Sequence, residues 1–418
     1  MRNSEESRHG FRLESPDGSG VDTVTHESAE SGLRVLVLAP TPFFGDRGCH
    51  VRIYEEVRSL AGRGVRCAIV TYPTGRDLPD LEILRARSVA GIEAGALGFS
   101  PGRPILDASL FVTAELAVRR FRPDLIHAHL HEGIAIGVLL RWWHRIPLIA
   151  DLQGSLVAEM ADQGVLSAAG LLAGGLGRVE QWLVRQPDHI LTSSGHGLAL
   201  LEEQGAPRAR LSALPDGVDL DTFQPQPSDQ LLRDQLSLGD KRVVVFLGVL
   251  TDYQGVDLLV EIGARLARER ADVHLLVMGY PNEERYRATA VARGLGEVMT
   301  FPGRIPYAEA SRWLGLGTVA VSPKRSLTEA NGKLLNYMAC GLPVVASDTP
   351  VNRELLGDHG VYASVGDADA FALRIGELLD HPTHARARGG ALRRRAETMF
   401  AWPALAERLE SVYRAALE

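Results

Sequence analysis

The sequence predicts an α/β protein built from two doubly wound, Rossmann-like domains. From Leu33 onward, apolar runs of strand length alternate with helical segments, a pattern that is typical of parallel sheets covered by helices. The alternation stops near Pro215 and then starts again. At 418 residues the chain is long enough for two domains that each bury a core. We therefore expect domains at 33–215 and 216–401, facing a central cleft at the carboxyl ends of the strands.

The first half opens with a strand that is expected to be buried on both faces. The run LRVLVLA is short, apolar and rich in β-branched residues, as strands inside parallel sheets are. Before it, residues 1–32 mix charge, serine and glycine, so we expect a disordered leader; it has no apolar core of a secretory signal. The segments that alternate after LRVLVLA read VRIYEEVRSLAGRG, RCAIVTY, ILDASLFVTAELAVRRF, LIHAH, PLIADL and HILTSS.

The second half repeats the alternation and ends in a distinctive element. From Val321 to Asp348 the order is strand, polar loop, short helix (Leu334 to Cys340) and strand, with Gly341 and Pro343 ending the helix. The free backbone N–H groups at a helix start favour anions, and Lys324 and Lys333 add positive charge beside them. On its own the segment is equally consistent with a crossover unit that carries a solvated loop. Its earlier segments read RVVVFLG, DLLVEIGARLARER, VHLLVMG and TVAVSP.

Composition and charge exclude several classes of protein. Hydrophobic residues make up 45% and charged residues 23% of the chain, as in ordinary globular proteins, and the net charge of −7 argues against nucleic acid as the main partner. The three cysteines are far apart and form no CxxC pair, so we expect a reducing, cytoplasmic location without a disulfide framework. The longest charge-free apolar stretch, residues 163–177, is shorter than the roughly 20 residues that span a bilayer.

The segment NGKLLNYMACGLPVVASD resembles the donor-site signature of the family 4 retaining glycosyltransferases, which have the GT-B fold. Further matches, DLIHAHLHEG, LPDGVDLDTF and VVVFLGVLTDYQGVDLLVE, follow in the family's order, and the resemblance covers nearly everything from Leu33 to the end. It implies a nucleotide diphosphate sugar as donor substrate, bound by the second domain, and an acceptor bound mainly by the first. It also implies that the last helix, 402–418, packs on the first domain and that no cofactor and no metal are required.

The resemblance also assigns roles to residues. It implies catalytic roles for His129, the second histidine of an HxH element, and for Glu329 beside the sugar. The loop from Gly45 to Gly48, which includes Asp46 and Arg47, would lie over donor and acceptor. The residues expected to contact the donor are Gly45, Gly48, Arg304, Ile305, Lys324, Thr328, Asn331, Gly332, Lys333, Leu334 and Asn336.

Three histidines alternate along DLIHAHLHEG, so a regular strand would point His127, His129 and His131 to one side. We interpret His127 as structural, and both a structural and a functional role stay open for His131. Histidines at this spacing could contact zinc, but no cysteine or carboxylate motif accompanies them, so we predict no metal site. Arg52 is open to two interpretations, a ligand of a phosphate or acidic acceptor and a solvated surface charge.

Two departures from the family pattern affect the donor site. Where many members have an arginine and a lysine against the diphosphate, this chain has Val249 and Gln254. We expect Lys324 and Lys333, with Arg304, to supply the missing charge. The positions of the family's two glutamates fall on Thr328 and Asn336, with Glu329 one residue out of register.

The predicted function is transfer of a sugar from a nucleotide diphosphate sugar to a hydroxyl of a glycan, lipid-linked or small-molecule acceptor, with retention. A non-catalytic nucleotide-sugar binding protein and a sugar-nucleotide epimerase of GT-B architecture stay open as alternatives. The chain has neither GxGxxG nor GxxxxGK[ST], which argues against hydride transfer and nucleotide hydrolysis. Arg141, Trp142, Trp143 and Arg145 suggest two readings, peripheral contact with the inner face of a membrane and, as we prefer, a solvated face with two core tryptophans.

Overall fold

The computed structural model describes residues 32–45, 48–92, 102–152, 154, 171–327 and 329–418. This part of the chain contains two sheets, one of seven strands and one of six, and their strands pair in parallel. The prediction of two Rossmann-like, doubly wound units is therefore confirmed. The predicted leader at 1–32 falls, up to residue 31, outside the described residues.

The first sheet has the strand order β3-β2-β1-β4-β5-β6-β7. Because the chain moves from β1 toward β3 on one side and from β4 toward β7 on the other, the winding reverses between β1 and β4. Such a reversal leaves a crevice at the carboxyl ends of the two strands. The strands are β1 (Arg34–Ala39), β2 (Arg66–Thr71), β3 (Glu82–Arg85), β4 (Leu125–His129), β5 (Leu148–Leu152), β6 (His189–Thr192) and β7 (Leu211–Ala213).

Helices cover both faces of the first sheet, because its central strands are buried on both sides. Both β4 and β5 are buried at every position. Their side chains divide between two apolar cores, one on each face of the sheet. The helices of this half are α1 (Gly48–Ala61), α2 (Arg103–Phe121), α3 (Leu130–His144), α4 (Leu171–Leu183) and α5 (Gly195–Glu203).

The second sheet has the order β10-β9-β8-β11-β12-β13, so its winding reverses between β8 and β11. The predicted strand, loop, helix and strand at 321–348 are present, and the helix spans Lys333–Ala339. The strands are β8 (Arg242–Leu247), β9 (Val273–Met278), β10 (Met299–Gly303), β11 (Val319–Ser322), β12 (Val344–Ser347) and β13 (Val361–Ala363). The helices that follow α5 are α6 (Gln230–Gln235), α7 (Val256–Glu269), α8 (Glu283–Ala292), α9 (Ala310–Leu314), α10 (Lys333–Ala339), α11 (Pro350–Leu356), α12 (Ala368–Asp380), α13 (Pro382–Met399) and α14 (Trp402–Leu417).

The two halves contact each other through polar groups and through the last helix. The Tyr280 hydroxyl donates to the carbonyl of Gly45 at 2.9 Å, and the Tyr307 hydroxyl donates to Glu55 at 3.1 Å. Helix α14 returns to the first half, where Leu405, Leu409 and Tyr413 pack in the core beside α1. The two winding reversals consequently lie on either side of one cleft.

One sequence interpretation is wrong. Trp142 and Trp143 were expected in a core, but their side chains are 54% and 72% exposed. Trp142 instead packs edge-on against Trp182, itself 47% exposed, with ring centroids 5.9 Å apart. No helix within the described ranges combines the length and the apolar character that crossing a bilayer requires.

Candidate active site

The loop between β11 and α10 carries most of the predicted donor contacts. It leaves β11 after Ser322 and reaches α10 at Lys333, at the reversal between β8 and β11. Among its side chains, Asn331 is buried and donates to Ser322 at 3.1 Å and to Asn352 at 2.8 Å. Asn331 therefore fixes the loop to the sheet and to α11, and it does not face the cleft.

Lys324 is buried and its charge is used within the loop. Its ammonium lies 2.8 Å from the Glu329 carboxylate and donates to the carbonyl of Ala330 at 2.5 Å. The geometry thus differs from the expectation that Lys324 faces the donor phosphates. Glu329 remains about one third exposed. Thr328 lies outside the described residues, so the geometry of its predicted contact stays open.

Lys333 begins α10 and presents its ammonium to the loop that follows β8. The ammonium donates to the side-chain oxygen of Gln254 and lies 4.7 Å from the centre of the Phe246 ring. Desolvation and the nearby Lys324 lower the pKa of Lys333 to about 7. Among the described residues, no carboxylate lies within ion-pair distance of this ammonium. Lys333 is therefore the one of the two loop lysines whose charge is not matched by a carboxylate among the described residues.

Glycine makes room for this lysine on the β8 side. A Cβ at Gly248 would lie 2.9 Å from Cε of Lys333 and 3.2 Å from its Nζ, so a side chain there would displace the ammonium. Gly332, directly before α10, faces Asp216 from the junction between the halves: a Cβ there would lie 3.0 Å from Oδ2 of Asp216. The start of α10 and the junction are thus in close contact.

The other residues predicted to contact the donor differ in how far their side chains are exposed. Arg304 is exposed and its guanidinium lies 5.1 Å from the centre of the Tyr280 ring, beside Gly45. Ile305 and Leu334 are buried in an apolar core of the second half, so only their backbone groups are available to a ligand. Asn336 is half-buried on α10. Gly48 is exposed at the start of α1, while Asp46 and Arg47 lie outside the described residues.

The reversal in the first sheet carries a different set of side chains. His127 and His129 lie on the same side of β4, with ring centroids 4.3 Å apart, as the alternation predicts. The strand ends at His129, however, and His131 lies on α3, where its Nε2 is 3.1 Å from Glu180. The expectation that all three rings point to one side is therefore wrong, because the chain turns sharply at Leu130, whose φ is 61°.

His129 lies beneath the surface of the cleft. Its side chain is 1% exposed, and its two ring nitrogens are each 3.5 Å from a carboxylate, Nε2 from Glu56 and Nδ1 from Asp151. Desolvation and the neighbouring Arg52 lower the pKa of His129 to about 3, so the ring is neutral at pH 7. Direct contact with a sugar is not supported by this burial, and the catalytic role of His129 stays a prediction.

Arg52 joins the first sheet to the junction between the halves. Its Nε lies 2.8 Å from Asp151 and 3.0 Å from Glu56, and its Nη1 donates to Asp216 at 2.7 Å. Arg52 is 2% exposed, which excludes the solvated surface charge as well as an open phosphate ligand. The carboxylates around it raise the pKa of Arg52 although burial opposes them, so it is always charged.

Comparison with known families decides the class of protein. The family described as "Glycosyl transferase 4-like domain" matches residues 47–217, and the family described as "Glycosyl transferases group 1" matches residues 241–381. The two matches lie on the two halves that carry the two sheets. The chain is a glycosyltransferase of the GT-B fold.

Named relatives and solved structures agree with this class. The glycosyltransferase is 27% identical over 412 residues to a D-inositol 3-phosphate glycosyltransferase of Kineococcus radiotolerans, covering 90% of this chain and 92% of the relative. It is 32% identical over 213 residues to a GDP-mannose-dependent phosphatidylinositol monomannoside mannosyltransferase of Mycolicibacterium smegmatis, covering 49% and 56%. Its fold is similar to sucrose-phosphate synthase of Thermosynechococcus elongatus, with a TM-score of 0.77, 21% identity and coverage of 92% and 98%.

The predicted enzyme class and fold are thus confirmed, while two functional neighbours were missed by sequence reasoning. Asp216 and Glu56 were not singled out, although each has a local signal in the sequence. The matched DGVD element does contain Asp216, and Glu56 follows Arg52 by one helical turn on α1. The spacing of Arg52 and Glu56 by four residues was the available signal for a buried ion pair.

Proposed function

We propose that this glycosyltransferase is a family 4 retaining enzyme that transfers a sugar from a nucleotide diphosphate sugar to an acceptor hydroxyl. The observation that carries the proposal is the Lys333 ammonium, which lies at the winding reversal of the second sheet without a carboxylate partner among the described residues. A departing nucleotide diphosphate develops negative charge, and a fixed cation in a poorly solvated site stabilises it. Lys333 thus supplies charge that Val249 and Gln254 do not.

The donor would bind across the second half. Its base would lie by the backbone of Arg304 and Ile305, and its diphosphate by Gly332 and Lys333. Glu329, still partly exposed, would accept hydrogen bonds from the sugar hydroxyls. Lys324 holds Glu329 at 2.8 Å and thereby orients it. No cofactor enters this proposal, because positioning and charge stabilisation are the main effects that it requires.

The acceptor would bind to the first half. A small pocket at the carboxyl ends of β5 and β6 is lined by Leu152, Leu200 and Leu201 together with the polar residues Glu180, Thr192, Ser193 and Ser194. The polar residues would bond the hydroxyls of a sugar or a cyclitol, and the leucines would pack against its ring. Relatives whose names include inositol phosphates favour a phosphorylated cyclitol or a lipid that carries one.

Contact with a membrane surface belongs to the same proposal. Trp142, Trp143 and Trp182 are each about half exposed or more and lie together on α3 and α4, with Arg145 exposed beside them. Tryptophan favours the interface between water and lipid, and arginine favours anionic headgroups. This face would hold the enzyme at the cytoplasmic side of a membrane while the cleft receives a lipid-linked acceptor.

The proposal is tested by a ligand screen followed by product analysis. UDP-, GDP-, ADP- and dTDP-sugars are compared for their effect on the melting temperature, because a ligand that binds only the folded state must raise it. The donor that raises it is then incubated with inositol phosphates and phosphoinositide vesicles, and the anomeric configuration of the product is read by NMR. A glycosylated product with the donor's configuration is expected. An inverted product would contradict retention, and free nucleotide without a glycosylated acceptor would favour hydrolysis or epimerisation.

A further inference from the structure

Two imidazoles and two carboxylates form a buried cluster at the winding reversal of the first sheet. Its members are Glu56 on α1, His127 and His129 on β4, and Asp151 on β5. Each is at most 2% exposed. One nitrogen or oxygen atom from each residue can be chosen so that all four atoms lie within 4.8 Å of one another. Four groups of the kinds that bind transition metals therefore converge on one point.

Several polar atoms of the cluster have no hydrogen-bond partner within the described part of the chain. They are both ring nitrogens of His129, Nε2 of His127 and Oδ1 of Asp151. A buried polar atom without a partner costs about 1–3 kcal/mol, so several at one place indicate a missing partner. One cation at the centre of the cluster would serve all four residues.

The charges around the cluster favour a divalent cation. Arg52 brings one positive charge, whereas Glu56, Asp151 and Asp216 bring three negative charges when ionised, which leaves two negative charges uncompensated. The histidines add none when they are neutral, and neutral imidazole is the form that binds metals. A divalent ion would make the whole group neutral, as burial requires.

Neighbouring residues hold the four groups in position for a ligand. The Tyr413 hydroxyl bonds to Nδ1 of His127 at 2.7 Å, which leaves Nε2 directed toward Asp151, 4.0 Å away. Arg52 pairs with Oδ2 of Asp151 and with Oε1 of Glu56, so each carboxylate keeps its other oxygen for a second partner. Such outer contacts commonly orient metal ligands.

We propose that Glu56, His127, His129 and Asp151 bind one divalent transition-metal ion, with zinc as the ion that the ligand set fits best. His129 can offer this ion only one of its nitrogens, Nδ1 beside Asp151 or Nε2 beside Glu56. Each of those pairs is 3.5 Å apart, close to the roughly 3.4 Å edge of a tetrahedral zinc site. All four positions are filled by protein groups, so the ion is structural: it ties α1 to β4 and β5. This departs from the sequence prediction of no metal.

The first test uses the unmodified protein without an affinity tag. After removal of metal with a chelator, it is titrated with Zn²⁺ and, separately, with Co²⁺. We expect one equivalent of either ion and the visible absorption bands of tetrahedral Co²⁺, with an increased melting temperature. Absence of both metal binding and absorption bands would overturn the proposal. It would mean that protons and Arg52 neutralise the negative charge of the carboxylates in the cluster.

Variants locate the ion. Glu56→Gln and His127→Gln remove one ligand each and are expected to lower zinc affinity at least roughly 100-fold, because four protein ligands are needed. His144→Gln is the matched control, since His144 pairs with Glu115 at 2.6 Å on the surface and outside the cluster. Zinc affinity that is equal in all three variants would place the ion elsewhere and contradict the proposal. If the ligand variants do not fold, the Co²⁺ spectrum of the wild type still decides between the two outcomes.

Discussion

The two winding reversals have the same topology and opposite chemistry. At the first, between β1 and β4, the side chains are carboxylates and imidazoles around Arg52, all closed off from solvent. At the second, between β8 and β11, Lys333 lies half-buried beside Gln254 with no carboxylate pair among the described residues. A doubly wound sheet thus fixes where a crevice forms, and the side chains decide what can enter it.

The difference in exposure determines how each charge is balanced. The first reversal excludes solvent, so its charges must be matched by groups already inside the protein. The second holds one ammonium that has a neutral partner, Gln254, and no carboxylate among the described residues. We therefore expect mutations at the first to act mainly on stability and mutations at the second to act mainly on donor binding.

The largest expected effect is on the stability of the first reversal. Arg52→Met leaves Glu56 and Asp151 without their arginine and is expected to lower the free energy of unfolding by about 3–5 kcal/mol, as is usual when one partner of a buried ion pair is removed. Chemical denaturation of variant and wild type measures this. Arg63→Met is the control, because Arg63 pairs with Glu410 but is 37% exposed; there a loss of about 1 kcal/mol or less is expected. Equal losses of stability in Arg52→Met and Arg63→Met would contradict the claim that the buried charges of the first reversal depend on Arg52.

A smaller effect is expected at the sugar end of the second reversal. Glu329→Ala removes the proposed acceptor of sugar hydroxyl hydrogen bonds, so kcat/KM should fall roughly 10–100-fold, the worth of a charged hydrogen bond. Affinity for the nucleotide diphosphate without its sugar should change little. Glu284→Ala, at a side chain that is 79% exposed, serves as the control in both assays. A parallel loss for nucleotide and nucleotide sugar would show that Glu329 acts on the loop and not on the sugar.

Donor affinity should depend on pH through Lys333. Its pKa of about 7 in the free protein means that the ammonium is charged below pH 7 and loses its proton above it. A diphosphate favours the charged form, so affinity should be full below pH 7 and fall by about tenfold for each unit above it. Isothermal titration between pH 6 and pH 9 measures this, and Lys333→Arg should remove the dependence. A wild-type profile that is flat, or that rises with pH, would contradict the assignment.

The smallest effect is expected at the contact between Gly332, directly before α10, and Asp216 in the junction between the halves. Gly332→Ala places a Cβ 3.0 Å from Oδ2 of Asp216, which must shift. The backbone at Gly332 tolerates alanine, with φ of −53°, so the expected loss of stability is only about 1 kcal/mol. Gly296→Ala, where the nearest atom lies at an ordinary 3.6 Å, is the control. A loss of several kcal/mol would mean that the junction is far more rigid than this contact implies.

The sequence predicted the second reversal better than the first, and the reason is physical. The strand, loop and helix from Val319 to Ala339 are contiguous, so composition and glycine positions carry their signal locally. Arg52 pairs with Asp151 and Asp216, which lie 99 and 164 residues away, and no local pattern shows such pairing. The exposure of Trp142 and Trp143 escaped prediction for a similar reason. Two adjacent tryptophans on a helix can lie in a core or on a surface, and their own sequence does not distinguish the two.

The same limit applies within the predicted donor loop. Lys324 and Lys333 carry the same charge nine residues apart, and no local pattern distinguishes their roles. Their neighbours separate them: Lys324 is closed in by Glu329 and the carbonyl of Ala330, while Lys333 faces Gln254. Which lysine is available therefore depends on the path of the loop backbone.

The role of Lys333 is tested most directly by the affinity of one nucleotide sugar for the wild type, Lys333→Ala and Lys241→Ala, measured by isothermal titration at pH 6.5. Lys241 is in the same half and donates to the carbonyl of Glu297, away from the cleft. We expect a loss of roughly 10–100-fold for Lys333→Ala, the worth of one charged hydrogen bond, and wild-type affinity for Lys241→Ala. Unchanged affinity in Lys333→Ala would contradict the claim that the second reversal receives the donor diphosphate through this lysine.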